Sequence, residues 1–116
     1  MFEVIVMSNG VNVAKGKIAN QSSSWIAPWN GKSFDASRAV DGNEGKWSFS
    51  KTEDSNSWWE VDLGNLYAIE SINIKNRWCK NTSDPSGCLC KLSNASVSMI
   101  DENDIVIAVA STLNTC

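Results

Sequence analysis

The sequence predicts an all-β protein, an antiparallel jelly-roll β-sandwich, on three observations. Apolar residues alternate at period two in several short runs, clearest in Ser57-Trp58-Trp59-Glu60-Val61-Asp62-Leu63. Turn residues recur about every ten positions. Only one stretch, Ser33 to Val40, has helical spacing, and it is about two turns long at most.

The elements follow in order. Residues 1–19 alternate apolar and polar until Ser8-Asn9-Gly10, which gives a short strand, a turn and the entry Asn12-Val13-Ala14-Lys15-Gly16-Lys17. From Asn20 to Lys32 the composition is that of a loop carrying Trp25, Pro28, Trp29, Asn30 and Gly31. Aromatics in such a loop either fold back onto the core or stand out as a flat platform that grips sugar rings through C–H contacts. Ser33 is placed to N-cap the short helix, with Phe34, Ala36, Ala39 and Val40 as its apolar face and Asp41-Gly42 as its stop. Residues 43–56 are polar, with Trp47-Ser48-Phe49 as a candidate edge strand.

In the central run Trp59, Val61 and Leu63 fall on one face, Trp58, Glu60 and Asp62 on the other, and Gly64-Asn65 ends it. Ile72 and Ile74 then face inward, while Asn73, Lys75 and Arg77 face outward. After a cysteine-rich loop, Ala95, Val97 and Met99 alternate with Ser96 and Ser98. Asp101-Glu102-Asn103-Asp104 turns the chain into a last run with Ile105, Ile107 and Val109 inward. Many short strands with almost no helix make a sandwich the expected architecture.

With 116 residues the chain is long enough for one hydrophobic core and is expected to form a single domain over 1–116. A net charge of -3 without a basic cluster argues against a nucleic acid or an anionic membrane as partner. The opening Met-Phe-Glu-Val-Ile-Val has neither the basic flank nor the apolar length of a signal peptide. Cys79, Cys88 and Cys90 cluster in a loop, and Cys116 is the last residue. Their spacing lacks the paired C-x₂-C of structural zinc sites and the chain has no His, which favours disulfides and an oxidising compartment. Sequons at Asn20, Asn81 and Asn94 agree with a secretory origin. An extracellular location presumes a signal peptide outside these residues. Glu60 and Asp62 lie about 7 Å apart along one strand face, superficially like a glycosidase pair. The solvent side of a strand accounts for them, and with no His and no Gly-flanked nucleophile the chain is expected not to be an enzyme.

Five motifs occur in register: Asn12-Val13-Ala14-Lys15-Gly16-Lys17, Gln21-Ser22-Ser23, Ala36-Ser37-Arg38-Ala39-Val40-Asp41-Gly42-Asn43, Trp58-Trp59-Glu60-Val61-Asp62-Leu63-Gly64 and Ile72-Asn73-Ile74-Lys75-Asn76-Arg77. Together they resemble the discoidin (coagulation-factor type C) domain, and within it the fucolectin, or F-type lectin, branch. The resemblance implies an eight-stranded jelly roll whose loops at one end bind a ligand, often a sugar, without catalysis. It assigns Arg77 and Lys91 as the two basic sugar ligands. The family's His has no counterpart, and Thr52 or Glu53 stands nearest its position. Trp25, Trp29 or Trp78 would stack on the ring. The resemblance also implies a structural Ca²⁺ held by the Arg38 carbonyl, Asp41, Asn43 and a ligand around Ser50, although Asp-Gly-Asn by itself reads as a turn. The family runs on for two or three strands past the position of Cys116, so Cys116 is expected to pair beyond this sequence and Cys79 with Cys88 or Cys90. The leading expectation is a glycan-binding module, one unit of a larger protein. The alternative is an adhesion module that meets a protein or membrane surface through the Trp25–Trp29 loop.

Overall fold

The computed structural model describes residues 3–43, 46–51, 53–75 and 95–110. The chain divides into two compact units, Met1–Lys75 and Asn76–Cys116. The described residues form seven strands in three small antiparallel sheets, with one short 3-10 helix, so the protein is all-β as predicted.

In the first unit β1 (Glu3–Ser8) lies between β2 (Val11–Asn12) and β5 (Ser71–Lys75). The β1–β2 hairpin closes through Asn9 and Gly10, whose φ angles are 53° and 77°. Positive φ at both central residues is what a two-residue turn needs to match strand twist, and Asn-Gly tolerates it. Glu70 reinforces the turn, its carboxylate accepting from the Asn9 amide. Where β2 runs out, the Asn12 side chain continues the pairing: Oδ1 accepts from the amides of Val6 and Ala14, each at 3.2 Å.

A second sheet pairs β3 (Ile18–Gln21) with β4 (Trp59–Asp62), Ile18 opposite Asp62 and Gln21 opposite Trp59. Both sheets contribute to one core. Val4, Val6, Val13, Ala14, Ala39 and Val40 are its buried centre, and Ala19, Trp59, Val61, Leu63, Tyr67, Ile69 and Ile74 pack around it. The alternation expected of the central run is observed: Trp59, Val61 and Leu63 turn inward, while Glu60 and Asp62 are exposed.

Three local expectations change. The helix spans only Ala36–Ala39, follows an extended Asp35, and has no side-chain cap at its start. Ser33 cannot cap it because that segment is committed elsewhere: Ser33 bridges Ile26, and the Phe34 amide donates to the Trp25 carbonyl at 2.9 Å. The Ser33 hydroxyl donates to Asp35 Oδ1 instead. Trp47–Phe49 is not a strand: Phe49 inserts between Phe34 and Trp25, its amide donating to the Phe34 carbonyl and its carbonyl accepting from the Trp25 amide. Ile72 pairs with Val6 yet remains 37% exposed, whereas Ile74 joins the core.

The second unit contains the hairpin of β6 (Val97–Ile100) and β7 (Val106–Ala110). Its turn lies where expected. Asp101 Oδ1 accepts from the amides of Asn103 and Ile105, both at 2.9 Å, and the Asp101 amide donates to the Ile105 carbonyl. On β6 the inward–outward pattern holds at Val97 and Met99. On the second arm it does not, because Ile105, Val106, Ile107 and Val109 are all exposed.

Candidate functional site

Two long loop segments leave the β3–β4 ribbon, and side chains bind them together. Gln21, the last residue of β3, turns its amide inward and donates to Ser24 Oγ at 2.8 Å and to the Phe34 carbonyl at 2.9 Å. The backbone of Trp25, Phe34 and Phe49 closes a ring of three hydrogen bonds around it, between 2.8 and 3.1 Å. Over this ring sits an aromatic cluster. Trp25 meets Phe34 at 5.1 Å and Trp29 at 5.5 Å edge-on and Phe49 tilted at 6.0 Å, and Phe34 meets Trp47 edge-on at 5.5 Å. The Arg38 guanidinium lies 4.5 Å from the centre of the Phe34 ring, within cation–π range.

From this base a tip projects between Ile26 and Ser33. The Ala27 amide donates to the Lys32 carbonyl at 2.9 Å, the Gly31 amide to the Ala27 carbonyl at 2.8 Å, and the Lys32 amide to Asn30 Oδ1 at 2.9 Å. Ala27 is buried beneath these bonds, while Ile26 and Trp29 are 55% and 73% exposed. The tip therefore presents an indole on a backbone already braced. Of the two expected aromatics, Trp25 folds back as a base and Trp29 stands out.

A second tie is polar. Asp54 Oδ2 accepts from the hydroxyls of Ser22 at 2.7 Å and Ser23 at 2.6 Å. Those hydroxyls in turn accept from the amides of Trp58 and Lys51, both at 3.0 Å. The Ser22 hydroxyl, then that of Ser23, holds the Asp54 carboxyl below its ordinary value, because both bonds favour the charged form.

The Asp41-Gly42-Asn43 turn follows the 3-10 helix. Asp41 Oδ1 accepts from the Asn43 amide at 2.8 Å, an Asx turn, and Gly42 has φ 77°. The Lys15 side chain lies across it: a Cβ on Gly42 would come within 2.7 Å of Lys15 Cε and 3.2 Å of Nζ. The Gly16 amide donates to the Val40 carbonyl at 2.7 Å, which fixes the two turns together. Carboxylate, amide, hydroxyl and carbonyl oxygens suit Ca²⁺ in kind. Asp41 and Asn43 are exposed, Ser50 and Arg38 half-buried, and among the described residues no three His, Cys, Asp or Glu side chains converge.

Of the expected sugar ligands, Glu53 is exposed beside Asp54. Arg77, Trp78, Lys91 and Thr52 lie outside the described residues, as do Cys79, Cys88, Cys90 and Cys116. Sequence reasoning missed Phe34, Trp47 and Phe49 as one cluster, the Arg38 side chain, and the Ser22–Ser23–Asp54 tie. The aromatic content of both loops is the one signal that pointed there.

The comparisons with known proteins agree with this architecture. Residues 38–115 match the family described as NedA-like, galactose-binding domain, of the coagulation factor 5/8 type C class. The chain belongs to that family, a discoidin-like domain. It is 43% identical to fucolectin-3 of Anguilla japonica over 70 residues, which is 57% of this chain and 38% of the relative. It is 46% identical to fucolectin-4 of the same species over 46 residues, 36% of this chain and 26% of the relative. The chain thus spans well under half the length of these relatives. No solved structure matches it.

Proposed function

We propose that this chain is a non-catalytic, extracellular carbohydrate-binding module that grips a glycan at its loop end. Membership of a galactose-binding family and the likeness to fucolectins support the class of ligand. The observation that carries it is Trp29: an indole 73% exposed on a hydrogen-bonded tip, backed edge-on by Trp25. An exposed, immobilised ring binds the apolar face of a sugar at little cost in side-chain entropy. Following the family resemblance, Arg77 and Lys91 are the basic side chains for charge-assisted hydrogen bonds to neighbouring sugar hydroxyls, with Trp78 as a further stacking ring and Thr52 or Glu53 in place of the family's His. Lacking the family's His, the site has weak or no preference for free fucose. The Arg38 carbonyl, Asp41, Asn43 and Ser50 hold a structural Ca²⁺, and Cys79 pairs with Cys88 or Cys90.

Titration with fucose and with a glycan panel tests this, alongside Arg77→Ala, Lys91→Ala and Trp29→Ala. Each loss of a basic side chain should weaken glycan binding roughly tenfold or more, the effect of losing a charged hydrogen bond. Glycan binding that survives all three changes would put the site elsewhere. The calcium assignment predicts a melting temperature lowered by EDTA, and a melting temperature indifferent to EDTA would leave Asp41–Asn43 as a turn. A second reading, docking of the tip onto a protein or membrane surface, is favoured by the exposure of Ile26 beside Trp29. A blank glycan panel, together with protein or vesicle binding lost in Trp29→Ala, would select it.

A further inference from the structure

The outer face of the β3–β4 ribbon carries two side chains that the fold does not explain. Ile18 is 73% exposed and Trp58 is 52% exposed. Each lies on the side away from the core, where neighbouring positions hold Glu60 and Asp62. Between them stands Asn20, also exposed, the first residue of Asn20-Gln21-Ser22. The register places Asn20 opposite Glu60, with Ile18 two positions before it on its own strand. Ser22 exchanges bonds with Trp58: its amide donates to the Trp58 carbonyl at 2.9 Å and its hydroxyl accepts from the Trp58 amide at 3.0 Å. Trp58 is therefore the diagonal neighbour of Asn20 across the ribbon, at the separation of about 7–8 Å that an aromatic side chain spans.

We propose that Asn20 is N-glycosylated and that the first sugar of the attached chain lies against Trp58, with Ile18 covered on its other side. An N-acetylglucosamine has a C–H face that suits an indole, so one group accounts for the sequon and for both exposed apolar side chains. This rests on the extracellular location proposed above. In the transfer, Asn20 Nδ2 bonds to the anomeric carbon of a lipid-diphosphate-linked oligosaccharide. The C–O bond to the diphosphate breaks, the lipid diphosphate leaves with the electron pair, and Nδ2 gives up one proton. In the folded chain Ser22 Oγ donates to Asp54 and accepts from Trp58, and Asn20 is held in a paired strand. The transferase, which reads that hydroxyl, must act before β3 pairs with β4.

The test is secretion of the full chain from eukaryotic cells, followed by peptide mapping before and after peptide N-glycosidase treatment. Mapping separates position 20 from the sequons at Asn81 and Asn94. A mass increment on the Asn20 peptide, removed by the enzyme and absent in Asn20→Gln, is expected. The melting temperature should fall by about 4 °C from glycosylated wild type to Asn20→Gln. The same comparison in a Trp58→Ser background should show no such fall. A secreted chain with a bare Asn20 overturns the proposal, and an equal fall with and without Trp58 overturns the sugar–indole contact. The glycan panel is read on the same samples: binding with a bare Asn20 sinks this inference alone, and a modified Asn20 without binding sinks the lectin reading alone.

Discussion

Around β1 the chain is held by backbone pairing and by small side chains, with Ala14, Ala39 and Val40 essentially sealed from water and, among the described residues, no fully buried side chain larger than valine. Between β3 and β4 it is held by the opposite means, with large rings meeting edge to face over strandless backbone and hydroxyls shared through Asp54. Small residues let the 3-10 helix approach the strands closely, and any added volume there has nowhere to go. Rings and hydroxyls instead fix loops that have no ladder of their own, at the cost of leaving one face of Trp29 in water. The first region sets the scaffold, and the second offers a preformed surface.

Trp59 joins the two regions, with its ring in the core and its Nε1 donating to the Ala36 carbonyl at 3.0 Å. Trp59→Ala should produce the largest loss, about 3 kcal/mol. Chemical denaturation followed by tryptophan fluorescence reads it as one cooperative transition. Two separate transitions in the wild type would mean that scaffold and loops melt independently.

Asp54→Ala should cost less and depend on pH. A carboxyl whose folded value is depressed adds stability above the unfolded value, and that stability is lost as pH falls through the folded one. The gap in melting temperature between wild type and variant should thus be full near neutrality. It should shrink as pH drops below the usual aspartate value of about 3.9. A gap that persists unchanged in acid would assign the effect to shape rather than charge.

Arg38→Met keeps the stem over Phe34 and removes the cation, and should lower stability by about 0.5–1 kcal/mol. Trp29→Ala should have the smallest effect on stability, within about 0.5 kcal/mol, while abolishing glycan binding. Equal damage to both properties would make Trp29 a loop brace rather than a platform.

The scaffold was legible where local rules decide the outcome. Period two placed Trp59, Val61 and Leu63 inward, and Asp101 to Asp104 made the expected turn. Asn9-Gly10 closed a two-residue hairpin because both residues accept positive φ. The helix was overestimated because Ser33 and Phe34 spend their backbone on Ile26 and Trp25, which helical spacing cannot reveal. The Asp54 tie joins positions more than thirty residues apart and has no periodic signature. The outward Ile105, Ile107 and Val109 show the limit of alternation: it tells which residues share a face, not what that face meets.

The register of β1 with β5 has a consequence for the order in which the chain is assembled. Val4 pairs with Ile74, seventy positions later, while on the other edge of β1 Met7 and Ser8 are paired at once by the adjacent β2. During synthesis at about 5–20 residues per second, one edge of β1 waits on the order of 4–14 s for its partner to be made. Throughout that interval a strand bearing Val4, Ile5 and Val6 is a half-finished template. Shielding of that edge in the meantime, by a chaperone or by the polar loops made after it, bears on yield, as does the stability of the finished sheet.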